Sequence, residues 1–176
     1  MILNFPQPFR DRPWSLGVGP LAAIAIAAIS LTGCPTGAPP TASQGEGDCP
    51  GCDFAGQDLS GKVWSGLNLN GANFSGANLE GADFSEAKLD GANFKDANLQ
   101  GANLEAAGLG QAILTGANLA GAKLGRAYLR GANLDGATLQ GADLKDADLL
   151  NATPTALNLG DATTTGAILP DGSQGE

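Results

Sequence analysis

At 176 residues the chain has room for one domain. Its 18 acidic side chains against nine basic ones give a net charge of −9, the wrong sign for a nucleic-acid phosphate partner. The absence of histidine excludes His-based triads, His general bases and most catalytic zinc sites.

Residues 1–33 read as a targeting segment. Arg10 and Arg12 form a basic n-region ahead of an apolar run from Leu16 to Leu31 that Pro20 interrupts. The fully apolar part, Leu21–Leu31, is shorter than the ~20 residues a membrane-spanning helix needs. Leu31-Thr32-Gly33-Cys34 then resembles the bacterial lipobox, with small residues for a signal peptidase and a thiol at Cys34 to accept a diacylglyceryl group. The resemblance implies cleavage before Cys34, lipid attachment there and a membrane anchor in the cell envelope, with the following domain facing the periplasm or exterior. Pro35 is not the aspartate of inner-membrane retention, which favours the outer membrane. The competing reading is an uncleaved signal anchor with an incidental cysteine. Gly17-Val18-Gly19-Pro20-Leu21-Ala22 matches a dinucleotide fingerprint by chance, since no strand–helix unit surrounds it.

Residues 34–48 are mostly Pro, Gly, Thr, Ser and Ala with no apolar periodicity, the composition of a flexible tether. Cys49-Pro50-Gly51-Cys52 follows. An exported compartment permits a disulfide here that staples the first turn; free thiols and a redox-active pair are the alternatives.

From Cys52 onward one five-residue phrase repeats. Its large apolar residue, position i, falls at Phe54, Leu59, Trp64, Leu69, Phe74, Leu79 and every fifth residue to Leu149, and position i−2 is alanine from Ala72 to Ala152. A helix would sweep these residues round its axis, and a straight strand would send them to alternate faces. The chain must therefore change direction every five residues. Positions i−2, i−1 and i are extended and point in, out and in, while i+1 and i+2 turn a corner where a positive φ favours glycine.

This A-(N/D)-(L/F)-x-G phrase is similar to that of the pentapeptide-repeat family, over about two thirds of the chain. The resemblance implies an all-β fold, a right-handed quadrilateral β-helix in which four pentapeptides make one coil and residues 20 apart stack. Residues 49–171 would then form a solenoid of about six coils, with 172–176 a frayed tail. A 20-residue coil stacks Phe54, Phe74 and Phe94 on one wall and Trp64 on Phe84, with leucine at every level of the walls through Leu59 and Leu69. Gln57, Lys62 and Leu67 replace alanine at the start, and Pro154, Leu157 and Thr164 break the pattern at the finish, as expected of terminal coils.

Some members of the family mimic DNA with stacked carboxylates, but the outer columns here mix signs: Asp83, Asn103, Lys123, Asp143 on one and Glu86, Ala106, Arg126, Asp146 on another. No nucleophile elbow, phosphate loop or carboxylate cleft is evident, so no enzyme activity, cofactor or metal is expected. The expectation is a membrane-tethered structural or protein-interaction module with an unidentified protein partner. Two alternatives stand beside it: a redox accessory protein through Cys49 and Cys52, and a polysaccharide binder through the asparagine column Asn78, Asn98 and Asn118.

Overall fold

A computed structural model describes residues 47–154 and 158–176. The leader, Cys34, residues 34–46 of the tether and Leu157 lie outside the described residues.

The described chain is a right-handed quadrilateral β-helix. Its outward i−1 residues pair in parallel at a spacing of 20, as in Asp53 with Asn73, Asp58 with Asn78, Val63 with Asp83 and Asn68 with Lys88. These four pairs open the first, second, third and fourth walls. Between coils the central residue donates upward, Phe54 N–H to the Asn73 carbonyl at 2.7 Å, and Asn73 N–H returns a bond to the Cys52 carbonyl at 2.8 Å. At the described corners the chain closes a β-turn, as where Gln57 N–H reaches the Phe54 carbonyl at 3.3 Å. The second corner residue is left-handed: Gly56 has φ +66° and Gly101 φ +65°. Glu86, Asp96, Ala106, Gln111, Arg126, Asp146 and Asn151 hold the same conformation without being glycine, with φ between 55° and 61°. Position in the coil dictates the backbone even where the side chain resists it.

Inside, alanines at i−2 and large residues at i are buried from Ala72 to Ala132 without a break. Alanine is small enough to let opposite walls meet. Phe54 stacks on Phe74 and Phe74 on Phe94, each at 5.0 Å between ring centroids, and Trp64 stacks on Phe84 at 4.8 Å. The first and third walls then meet edge to face, with Phe74 against Phe84 at 5.5 Å and 81°. Each such side chain contributes about 1.5–3 kcal/mol by leaving water. Trp64 is fully buried and its Nε1–H finds no acceptor, which subtracts from that gain.

Both boundaries differ from expectation. Asp48 belongs to the first coil and not to the tether, because its Oδ1 accepts the Asn68 N–H at 2.8 Å. At the other end residues 172–176 are not frayed. Gln174 pairs antiparallel with Ile168, and Gly175 N–H reaches the Ala167 carbonyl at 2.8 Å. A polar composition points to fraying; unpaired backbone at the coil edge captures the segment instead. Among the described residues Asn158 makes no bridge to Thr138, yet Asp143 with Thr163 and Asp148 with Ile168 keep the register beyond Pro154.

Ala106→Gly should raise stability by about 1 kcal/mol through relief of a left-handed corner, and the reverse change Gly101→Ala should lower it by a similar amount. Denaturant melts followed by circular dichroism check the pair.

Candidate functional site

Among the described residues no polar or charged side chain is buried, so ionisable groups stand on the outer walls.

On the second wall the asparagine column is a chain of hydrogen bonds. Asn78 Nδ2 donates to Asp58 Oδ1 at 3.0 Å, Asn98 Nδ2 to Asn78 Oδ1 at 3.0 Å and Asn118 Nδ2 to Asn98 Oδ1 at 3.1 Å. Each oxygen also accepts the backbone N–H two residues on, from Ser60 at 3.3 Å, Glu80 at 3.4 Å, Gln100 at 3.3 Å and Ala120 at 3.1 Å. The side chain thus closes the corner of its own coil and ties it to the next. A sugar hydroxyl seeking these oxygens would meet acceptors already occupied. The first wall repeats the device from Asp53 through Asn73 to Asn93, at 2.9 and 3.2 Å, until Ile113 ends it.

Asp58 anchors the second-wall column, and its carboxyl is held below the ordinary aspartate value. The largest cause is the Ser60 backbone N–H, followed by the Ser60 hydroxyl; burial opposes them and the Asn78 amide adds to them. Asp171 is lowered in the same way by the hydroxyl and then the backbone of Ser173.

The third and fourth walls differ in kind. Lys123, Arg126 and Lys145 gather there with Glu105, Asp143 and Asp146 round a groove of about 390 Å³, with Gly125 supplying the gap. Arg126 Nη2 meets Glu105 Oε1 at 2.6 Å, and beside the fourth wall Arg130 Nε meets Asp148 Oδ2 at 2.6 Å. Such exposed pairs add little stability, about 0–1 kcal/mol each. Arg126 and Asp146 are also left-handed corner residues, and Glu86 and Ala106 take that corner in the two coils before them. Four successive coils forgo glycine at one edge. The charge columns were legible at 20-residue spacing, but the gap at Gly125 and the shared left-handed edge emerge only once the walls are assembled.

Cys49 and Cys52 are disulfide-bonded across the first corner. Pro50 and Gly51 make the turn, Gly51 with φ +71°, and Cys52 N–H reaches the Cys49 carbonyl at 3.2 Å. Cys49 sits at a central position and Cys52 at an alanine position, so both side chains point inward and are buried, at 8% and 1% exposure. A redox partner would have to open the coil to reach them. Among the described residues no group of His, Cys, Asp or Glu is arranged to hold a metal ion, and no helix is long and apolar enough to cross a membrane.

A family model for pentapeptide repeats matches residues 48–85, 68–105, 77–116 and 112–149. Among solved structures, the chain is similar to a pentapeptide repeat protein from the cyanobacterium Cyanothece 51142. The identity is 31% over 57% of this chain and 85% of that one, with a TM-score of 0.37. It is also similar to HetL of Nostoc sp. strain PCC 7120, a protein involved in heterocyst differentiation regulation. That match has 30% identity over 71% and 79% of the two chains and a TM-score of 0.27. A pentapeptide repeat protein of the Arabidopsis thaliana thylakoid lumen shares 35% identity over 64% and 65%, with a TM-score of 0.26. No curated protein matches the chain.

Asn98→Ala should lower stability by about 1–3 kcal/mol, since it removes two ladder bonds and one corner bond at once; a denaturant melt reads the loss. Acid should act through Asp58 and Asp171. A depressed carboxylate contributes stability above its unfolded value and loses it as pH falls through the folded one. The melting temperature should therefore drop as pH falls below 3.8, and less steeply in Asp58→Asn, which keeps the acceptor without the titration.

Proposed function

Because the chain belongs to the pentapeptide-repeat family, we propose that it is a non-enzymatic interaction module held in the cell envelope by an acylated Cys34, with a protein partner docking on its third and fourth walls. The observation that carries the docking face is the segregation of basic charge, since carboxylates such as Asp53, Asp58 and Glu80 stand on the other walls or their corners as well. Lys62, Lys88, Lys123, Arg126, Arg130 and Lys145 all lie on those two walls or their corners, and of the described basic residues only Lys95 lies elsewhere. The first and second walls carry amides that bond one another. A partner gains little from amides whose donors and acceptors are already bonded and more from exposed charges, because a solvated ion pair such as Arg126 with Glu105 is weak enough to be exchanged for a partner's groups.

The non-enzymatic reading draws on the core. Its buried side chains are apolar throughout the described coils, so no acid, base or nucleophile is desolvated in the way catalysis uses. The anchor draws on the lipobox-like Leu31-Thr32-Gly33-Cys34 and on the Pro-, Gly-, Thr-, Ser- and Ala-rich composition of the residues that follow it. The outer membrane is the favoured site, from Pro35.

In intact cells, crosslinking should recover a protein partner from the parent chain and lose it with the double change Lys123→Glu and Arg126→Glu, at an unchanged melting temperature. Equal recovery from both chains would remove the docking face. Cys34→Ser should move the protein from the membrane to the soluble fraction; continued membrane association would point to an uncleaved signal anchor.

A further inference from the structure

A β-helix ends in an open edge. Where one coil stacks fully on the next, three backbone groups per wall reach across. On the fourth wall Leu149 N–H donates to the Ile168 carbonyl at 2.8 Å, Asn151 N–H to the Pro170 carbonyl at 3.0 Å, and the Ala147 carbonyl accepts Ile168 N–H at 2.8 Å. One coil later, the corresponding groups, Leu169 N–H and the Ala167 carbonyl, have no further coil stacked on them among the described residues. They form the template on which another parallel strand would add.

The chain fills that template itself, and in the opposite sense. It reverses at Pro170-Asp171-Gly172, where Gly172 N–H closes on the Leu169 carbonyl at 2.9 Å and Asp171 Oδ1 accepts both the N–H and the hydroxyl of Ser173 at 2.9 and 2.6 Å. Leu169 N–H then bonds the Ser173 carbonyl and the Ala167 carbonyl accepts Gly175 N–H, both at 2.8 Å. Gly166 N–H reaches the Gly175 carbonyl at 3.3 Å and Thr164 Oγ1 the Glu176 carbonyl at 3.2 Å. Ile168 with Gln174 is the one antiparallel bridge among the described residues. A Cβ on Gly175 would collide with the Thr164 carbonyl, so the segment lies close against the edge.

The first wall is blunted by another means. Pro154 stands at the central position, whose N–H pairs upward in the coils below, and proline has no N–H to give. Two of the four walls are thereby withdrawn from parallel addition by unrelated devices.

We propose that residues 172–176, with Pro154, guard this end of the solenoid against the stacking of a second copy of this chain. The reversed segment offers an incoming parallel coil the wrong strand direction, and Pro154 denies it a donor on the first wall. The guarded surface is the coil edge, distinct from the charged walls assigned above to a protein partner.

The test compares the full chain in detergent with two variants: one ending at Asp171 and carrying Pro154→Leu, and one carrying Gly175→Val, which drives the tail off Thr164 without shortening the chain. Sedimentation mass and amide exchange at Leu169 are followed with protein concentration. Both variants are expected to associate more strongly than the parent, with Leu169 becoming protected only in the associated form. The proposal is overturned if neither associates more than the parent while keeping its circular dichroism. It is equally overturned if both lose that spectrum, which would make the tail a clip that holds the coil together and not a guard.

Discussion

An odd repeat with inward residues at both ends of each short strand cannot run straight, and the bond that makes the turning worthwhile is the parallel one between residues about 20 apart. Phe54 to Asn73 and Asn73 back to Cys52 are repeated at nearly every level and wall. Because these bonds fall on each short side, the coil cannot slip by one residue without exchanging its inner and outer faces. The cost falls at the corners, where a left-handed residue recurs whatever its side chain. Glycine removes that cost at Gly101; Ala106 and Arg126 retain it. Strain is tolerated because backbone pairing above and below leaves the corner no other place to go.

The same pairing explains why polar side chains are sorted by wall. An asparagine at i−1 stacks 20 residues from another i−1 residue, close enough for Nδ2 to reach the Oδ1 beneath, as Asn98 does with Asn78. Its own oxygen then closes the corner on Gln100 N–H. Where the column holds Lys123 and Asp143, the side chains are longer or charged and reach toward solvent, leaving the groove beside Gly125. Amides and basic charge are thus divided between faces: amides bind coil to coil on the first and second walls, and most of the described basic side chains stand exposed on the third and fourth.

The ends obey different physics from the middle. A repeating unit carries no instruction to stop, so closing it needs residues that break the repeat. At the start Cys49 and Cys52 take a central and an alanine position and fix the first corner with Pro50 and Gly51. At the finish Pro154 withholds a donor and the segment after Pro170 turns back on the edge. Both depart from the five-residue phrase at the level where the core would otherwise face water.

The amino-acid sequence by itself determined the period, the inward and outward columns, the 20-residue coil and its aromatic stacks. Each is a local pattern multiplied by a fixed geometry, and Phe54, Phe74 and Phe94 stack where their spacing places them. It also showed the mixed signs of the outer columns. Tertiary structure alone decided which polar residues were already engaged, because the Asn78–Asn98–Asn118 column reads equally as a free surface or a bonded ladder until the side-chain directions are known. It alone brought Asp48 into the first coil and folded residues 172–176 over the last. Those short polar segments carry no periodicity, and what orders them is the unpaired backbone of a neighbouring coil, which comes into being only when the rest has folded.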